Sequence, residues 1–334
     1  MKDPFVYHIE QLKRVKPALS FDAGKPFDVQ KEQILAKYQE LIKIPPKQTN
    51  PVPIIEYEDT SGSEFDEIRF SIESEPGFFV PAHMLIPKKR QEKMSLVICL
   101  QGHSPGMHVS LGREAYPGKN PIKVEGDRDF CLQAVKRGYV AIALEQRGFG
   151  ELNFTGKSNG CHELSCQTLL MGKTLIGERV RDIIALIDAV EEGFDFIDMS
   201  RIGVMGNSGG GTSSYFAACV DERIKVSMPS SSFCTFVAAW GSIYHCSCSY
   251  VPDILNYMEM PDMAIMIAPR HLVAVNGIHD PIQPFDSAKE AFETVKAIYK
   301  ASGFPENCDM VVGNEGHRFY ADLAWDVFDA HINR

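Results

Sequence analysis

The fold of this chain is decided by residues 204–211, which read Val204-Met205-Gly206-Asn207-Ser208-Gly209-Gly210-Gly211. An apolar run typical of a strand precedes the serine, and residues 212–220, typical of a helix, follow it. Between a strand and a helix, the sequence Gly-x-Ser-x-Gly forms a sharp turn that exposes the serine hydroxyl. Side chains two residues before and after the serine would collide with backbone, which explains the glycines. The pattern predicts that Ser208 is a nucleophile.

Composition restricts the class of protein. The chain has 334 residues, of which 44% are hydrophobic and 23% charged, as in globular proteins of one or two domains. A net charge of −10 without a basic stripe argues against a nucleic-acid partner. No apolar run approaches the ~20 residues of a membrane span, and the amino terminus lacks a signal-peptide profile. We expect a cytoplasmic protein with no membrane partner. The sequence leaves the oligomeric state open and is compatible with a homo-oligomer.

The nine cysteines do not describe a disulfide framework, because their number is odd and they are scattered through apolar runs. Most are expected to be buried as small apolar side chains. Cys234, His245, Cys246 and Cys248 are of the types that bind zinc. A Cys-x-Cys pair without a second spaced pair is a weak pattern, so the sequence favours no metal and no cofactor.

Strands and helices alternate along most of the chain. Short continuous apolar runs are typical of strands buried on both faces of a parallel sheet. The predicted strands are residues 68–72, 78–86, 96–100, 139–144, 201–205, 223–228, 272–275 and 310–312. The predicted helices are residues 30–44, 127–137, 177 onward, 212–220 and 287–301, the last with a Ser287-x-x-Glu290 capping box. This order predicts an α/β fold with a doubly wound, mostly parallel sheet flanked by helices.

The first 60 residues differ from the rest of the chain. Their helical, proline-punctuated pattern contains no residues with an evident chemical role. We expect a helical amino-terminal extension packed on the core over residues 1–60 and one catalytic domain over residues 61–334. A doubly wound sheet places its active site at the carboxyl ends of its strands.

The loops after the last two strands supply partners for Ser208. A serine hydroxyl is a poor nucleophile at neutral pH, so it needs a base within hydrogen-bond reach and an acid that orients the base. Asp280 follows the strand at residues 272–275, and His317 follows the strand at residues 310–312. The order Ser, Asp, His, each just past a strand, is the order that hydrolases of this topology use. We predict a catalytic triad of Ser208, Asp280 and His317.

Four other residues compete for the acid and base roles. Asp286 adjoins the capping box and is better explained by a helix start, while Glu315 is too near the predicted base in sequence to orient it. His279 adjoins the predicted acid, and His271 precedes its strand and should lie at the opposite edge of the sheet. None of the four replaces a member of the triad.

Several short motifs from about residue 65 onward are shared with one group of enzymes. They are residues 206–210, Gln101-Gly102-His103, Arg147-Gly148-x-Gly150, Ala268-Pro269-Arg270, Asp280 and Gly316-His317. In these motifs the chain resembles α/β-hydrolases of the dienelactone hydrolase and acetyl xylan esterase group. The resemblance implies the α/β-hydrolase fold and an acyl-enzyme mechanism without a cofactor. It also implies a small-molecule ester as substrate, with a small acyl group such as acetate on a carbohydrate or similar alcohol.

The resemblance also implies an oxyanion hole, which needs preorganised N–H donors. One donor is expected to be the backbone N–H of Gly209, and the other an N–H of the loop after the first central strand, either His103 or Gly102. The chain has no His-Gly-Gly-Gly motif there, so the choice stays open, as does a role for the histidine side chain. Two irregular segments overhang the site in this fold, one after Gly150 and one after the strand at residues 223–228. Phe233 and Trp240 lie in the second, and we assign them to the substrate wall.

Three other functions are less consistent with the sequence. A peptidase of the prolyl-oligopeptidase kind needs a propeller, and only about 90 residues precede the first central strand. A non-catalytic binding protein of the same fold would not need the triad, although fold alone does not decide the function. Nucleotide binding by the glycine run would need a following Lys and Ser or Thr, which the chain lacks.

Overall fold

The computed structural model describes residues 3–103 and 105–333. In these residues nine strands form a single sheet. The strands are β1 (Ile54–Asp59), β2 (Phe65–Glu75), β3 (Phe78–Pro87), β4 (Met94–Leu100), β5 (Val140–Leu144), β6 (Ile197–Asn207), β7 (Ile224–Ser230), β8 (His271–Gly277) and β9 (Cys308–Gly313).

The sheet has the strand order β1-β2-β3-β5-β4-β6-β7-β8-β9. Neighbouring strands from β5 to β9 are parallel, whereas β1, β2 and β3 add an antiparallel edge. The chain winds outward from β4 in both directions, since β5 and β6 lie on its two sides. Ligands of doubly wound sheets bind at such a reversal, beyond the carboxyl ends of the strands. The predicted doubly wound, mostly parallel sheet is confirmed.

Helices cover both faces of the sheet. They are α1 (Pro4–Leu12), α2 (Phe27–Ile42), α3 (Phe130–Lys136), α4 (Cys161–Leu170), α5 (Leu175–Gly193), α6 (Gly209–Ala218), α7 (Ala264–Ile267), α8 (Phe285–Ala301) and α9 (Ala321–Ile332). Alternate side chains of β4 divide between two cores: Leu96 and Ile98 pack with α2, α5, α6 and α8, while Val97 packs with α3 and α9. None of the described helices has the length and apolar character needed to cross a bilayer.

The amino-terminal segment is helical, as predicted, and packs on the core. Ile34, Tyr38 and Ile42 of α2 are buried, and the Tyr38 hydroxyl donates a hydrogen bond of 3.0 Å to the Phe216 carbonyl in α6. The segment also contributes β1, which the sequence did not indicate and which pairs with β2. The division of the chain at residue 60 stays a prediction.

Four helices, α2, α5, α6 and α8, begin two or three residues earlier than predicted. Helix α8 starts at Phe285 after Pro284, so the Ser287 capping box is not its start and that prediction is wrong. The fixed φ of proline is already compatible with helix entry. Helix α6 begins at Gly209 rather than at residue 212, because the sharp turn at Ser208 leads directly into it. The first N–H groups of α6 therefore lie next to the serine.

Candidate active site

Ser208 stands at a strained turn between β6 and α6. Its backbone has φ 55° and ψ −121°, which a non-glycine residue adopts only when the surrounding structure enforces it. A Cβ at Gly206 would lie 2.5 Å from the Gly210 carbonyl carbon, and one at Gly210 would lie 2.2 Å from the Leu100 carbonyl oxygen. Any larger residue at either position would clash with the backbone, so both positions require glycine. The Ser208 N–H donates a hydrogen bond of 2.8 Å to the Ser230 carbonyl, which fixes the turn against β7.

Asp280 and His317 form a hydrogen-bonded pair just beyond the carboxyl ends of β8 and β9. His317 Nδ1 lies 2.8 Å from Asp280 Oδ2 and 3.0 Å from Oδ1. The Asp280 side chain is fully buried, and its Oδ1 also accepts the backbone N–H groups of Ile282 and Gln283. Burial alone would raise the pKa of Asp280, but the hydrogen bond and charge of His317 outweigh it and hold that pKa below its ordinary value. Asp280 is therefore placed to orient the imidazole and to stabilise it when it is protonated.

Ser208 and His317 line one cleft of about 930 Å³. In the described part of the chain no hydrogen bond joins their side chains; such bonds are often long in the free enzyme and tighten with substrate. The structure thus brings the three predicted triad residues to one place.

The loop after β4 runs directly beside Ser208. A Cβ at Gly102 would lie 2.9 Å from Ser208 Cβ, and the position of a Cβ at Gly209 is 3.0 Å from His103 Cε1. Gly209 is the first residue of α6, so its N–H has no acceptor within the helix. It lies at the amino-terminal end of the helix, where the helix dipole favours a negative charge. The His103 ring is engaged elsewhere, since Nε2 lies 3.2 Å from Cys248 Sγ. This loop and the first turn of α6 therefore lie next to Ser208.

Phe233 and Trp240 belong to the core rather than to the cleft. Phe233 is 1% exposed and makes edge contacts with Tyr215 and Phe292. Trp240 is 5% exposed and stacks on Phe216 at 6.1 Å between ring centroids. Neither side chain is among the residues that line the cleft. This placement corrects the expectation that they form a substrate wall.

Mostly polar and charged side chains line the cleft instead. They are Glu125, Arg128, Asn159, His162, Tyr244, His245, Cys246, Ser247, Glu315 and Arg318. Many of them come from the two irregular segments around residues 160 and 245, where the sequence has no periodic pattern. The sequence indicated these residues only through the expectation that the two segments overhang the site.

Among the described residues, none of the four competing acids and bases has a side-chain hydrogen bond to Asp280 or His317. Asp286 is in the first turn of α8, and Glu315 Oε2 pairs with Arg318 Nη1 at 2.8 Å. His271 opens β8 at the opposite end of the strand and stacks on His331 with ring centroids 4.3 Å apart. His279 precedes the acid in sequence, and its backbone N–H donates to the Glu315 carbonyl.

The four metal-ligating candidates of the sequence do not come together. Cys234 Sγ contacts the Pro284 carbonyl, and His245 stacks on a tryptophan ring. Cys246 and Cys248 instead join two residues that the sequence did not connect with them, His103 and Cys161. One potential ligand atom from each of these four residues lies within 4.8 Å of all the others.

Comparison with known proteins adds a family and a relative. A model of the Abhydrolase family matches residues 6–171, a stretch that includes most of the amino-terminal extension. The Bacillus subtilis (strain 168) protein named "Putative hydrolase YtaP" is 27% identical over 241 residues, which make up 71% of this chain and 77% of that protein.

Two solved structures share the whole architecture. A "putative acetyl xylan esterase" from Bacteroides fragilis NCTC 9343 has a TM-score of 0.79 at 16% identity, with 100% of this chain and 90% of that chain covered. A glucuronoyl esterase from Solibacter usitatus has a TM-score of 0.69 at 12% identity, with 96% and 98% covered. At such identities the likeness establishes the fold, and the chemistry has to be argued from the residues of the cleft.

Proposed function

We propose that this chain, which has the α/β-hydrolase fold and resembles the acetyl xylan esterases, hydrolyses carboxylic esters through a serine acyl-enzyme. One observation carries the proposal. The buried Asp280 carboxylate holds His317 by Nδ1 at the edge of the cleft that Ser208 enters from its strained turn. Nucleophile, base and orienting acid are the three groups that acyl transfer from an ester to water requires.

In the first step His317 accepts the Ser208 hydroxyl proton while Oγ attacks the ester carbonyl carbon. The backbone N–H of Gly209 and one N–H of residues 102–103 bind the resulting oxyanion, each worth about 3 kcal/mol in the transition state. The tetrahedral intermediate collapses as His317 gives its proton to the leaving alcohol. Water, deprotonated by the same imidazole, then releases the acid from the serine. Asp280 keeps its negative charge throughout and stabilises the imidazolium.

The substrate we propose is a small acyl ester, such as an acetate, of a carbohydrate or similar polar alcohol. A cleft lined mostly by polar and charged side chains suits a hydroxyl-rich alcohol better than an alkyl chain. The acetyl xylan esterase among the structural neighbours favours the same substrate class. We place the enzyme in the cytoplasm, where its nine cysteines, all free thiols in the structure, would persist.

The test is labelling with a fluorophosphonate probe, followed by assays on aryl esters of increasing acyl length. Wild type and a Ser302→Ala control at the end of α8 should both be labelled, whereas Ser208→Ala should not. Acetyl esters should be cleaved faster than longer acyl esters. Absence of labelling in the wild type contradicts the serine mechanism. Faster cleavage of peptide anilides than of acetyl esters would assign the protein to the peptidases, and faster cleavage of methyl glucuronates would move the specificity from acetyl groups to uronic acid esters.

A further inference from the structure

We propose that His103, Cys161, Cys246 and Cys248 form a tetrahedral zinc site beside the catalytic cleft. The potential ligand atoms all lie within 4.8 Å of one another, and His103 Nε2 is 3.2 Å from Cys248 Sγ. One imidazole and three thiolates are a common ligand set of structural zinc, which they bind at about 2.0–2.3 Å. Four protein ligands close the coordination shell, so the metal would hold the structure together and would not activate water.

The ligands converge from three separate segments. His103 is in the loop after β4, Cys161 opens α4, and Cys246 and Cys248 flank a short turn near residue 247. Cys161 and Cys248 are buried in a small apolar cluster with Phe149 and Leu175. The three thiols of this cluster lie next to an imidazole. Burial of cysteines merely as small apolar side chains would not require that arrangement.

A buried arginine supplies the second, independent observation. Arg179 in α5 is 1% exposed, and its hydrogen bonds among the described residues go to the Arg147 carbonyl and, from Nη2, to Cys161 Sγ at 3.3 Å. Its guanidinium lies 4.4 Å from the centroid of the Phe149 ring, and its buried Nη1 has no hydrogen-bond partner. A buried cation without an anionic partner is unfavourable, so a neighbouring negative charge would stabilise this side chain.

The zinc site supplies that charge. A divalent ion with three thiolates and a neutral imidazole carries a net charge of −1, which the single positive charge of Arg179 neutralises. N–H donors to thiolate sulfur are also the usual outer contacts that orient metal ligands.

A disulfide explains the cluster less well. Joining two of the three cysteines would remove two thiolates and leave the third cysteine, the imidazole and the buried guanidinium without a common partner. Copper(I) shares the preference for soft ligands, but three thiolates with one imidazole in a closed tetrahedral set are typical of zinc.

The experiment measures metal in the full chain, purified without chelator from zinc-supplemented medium. We expect about one zinc per chain in the wild type. Cys161→Ser and Cys248→Ser should each lose most of it. The matched control is Cys166→Ser, on the same helix α4 but exposed and outside the cluster, which should keep the full equivalent. Replacement by Co²⁺ should give the visible bands of a tetrahedral ion and a thiolate charge-transfer band in the near ultraviolet.

A second measurement on the wild type covers the case in which the cysteine variants fail to fold. Titration with a mercurial in the presence of a metal indicator should release zinc as three thiols react, while the remaining cysteines react independently. Wild-type protein without zinc, zinc retained by Cys161→Ser, or a disulfide between any two of the three cysteines would overturn the proposal. Because metal content is read without substrate, a protein that binds zinc but cleaves no ester would contradict only the proposed hydrolase.

Discussion

Replacing Asp280 by asparagine tests the assigned triad most directly. When His317 takes the serine proton, an imidazolium forms with its Nδ1 2.8 Å from the Asp280 carboxylate oxygen. At an effective dielectric constant of about 20, Coulomb's law gives an attraction of about 6 kcal/mol at that distance. This attraction exists only in the charged transition state, and each 1.4 kcal/mol corresponds to about tenfold in rate. With screening at the partly exposed imidazole, we expect kcat for Asp280→Asn to fall about 10³–10⁴-fold.

The assay is hydrolysis of an aryl acetate at pH 7–8, with kcat and KM measured separately. KM should change little, since the lost interaction develops only in the transition state. The amide oxygen of asparagine can still accept the backbone N–H groups that Asp280 Oδ1 accepts now, so the fold should persist in circular dichroism. Asp286→Asn is the matched control and should keep kcat within about twofold. A fall of less than tenfold for Asp280→Asn, in a folded protein, would refute the assignment of the acid.

Three further predictions concern the surroundings of the site and the stability of the chain. Gly102→Ala should lower kcat at least tenfold and the free energy of unfolding by about 1–3 kcal/mol, because its Cβ would lie 2.9 Å from that of Ser208. The control Gly24→Ala, at an exposed glycine whose Cβ would meet only the flexible Asp22 side chain, should leave kcat unchanged in the same assay. Arg270→Lys should lower the free energy of unfolding in urea by about 2–4 kcal/mol, because the guanidinium donates to four backbone carbonyl oxygens that an ammonium cannot all reach. The control Arg201→Lys, at a surface ion pair, should change the free energy of unfolding by less than about 1 kcal/mol. An equal loss in both variants would contradict this role of Arg270. The folded-state pKa of Asp280 is lower than its unfolded value, so its ionised form contributes stability that is present above pH ~4 and lost as the pH falls through the folded-state pKa. The stability difference between wild type and Asp280→Asn should therefore shrink as the pH falls below about 4, and a difference independent of pH would contradict this.

Local signals explain why much of the fold could be predicted. The turn around Ser208 depends on residues adjacent in sequence. Its glycines are required because a Cβ at Gly206 or Gly210 would lie about 2.5 Å or less from backbone atoms. Strands buried on both faces leave continuous apolar runs, so the order of strands and helices could be recognised. Asp280 and His317 follow from that order, because each comes just after a strand. The resemblance to α/β-hydrolases of the acetyl xylan esterase group is likewise confirmed.

Features that depend on distant parts of the chain could not be predicted. An edge strand such as β1 is exposed on much of its surface and has no strong apolar pattern. Phe233 and Trp240 were assigned to the cleft by their aromatic type, but an aromatic side chain near a site packs the core as readily as it lines a pocket. His103 and Cys161 are far apart in sequence, and only the irregular segments between β4 and α5 bring them together. No sequence motif with fixed spacing identifies residues that are this far apart along the chain.

The hydrogen bond from Tyr38 to the Phe216 carbonyl links helix α2 to the turn at Ser208. Helix α6 begins at the residue after Ser208, so whatever fixes the far end of that helix also fixes the direction in which its first N–H groups point. A shortened protein of residues 61–334 would uncover the apolar surface beneath Ile34, Tyr38 and Ile42 and free the end of α6. Expression trials, fusion designs and domain-swapped variants of this protein should therefore keep α2 attached to the rest of the α/β core.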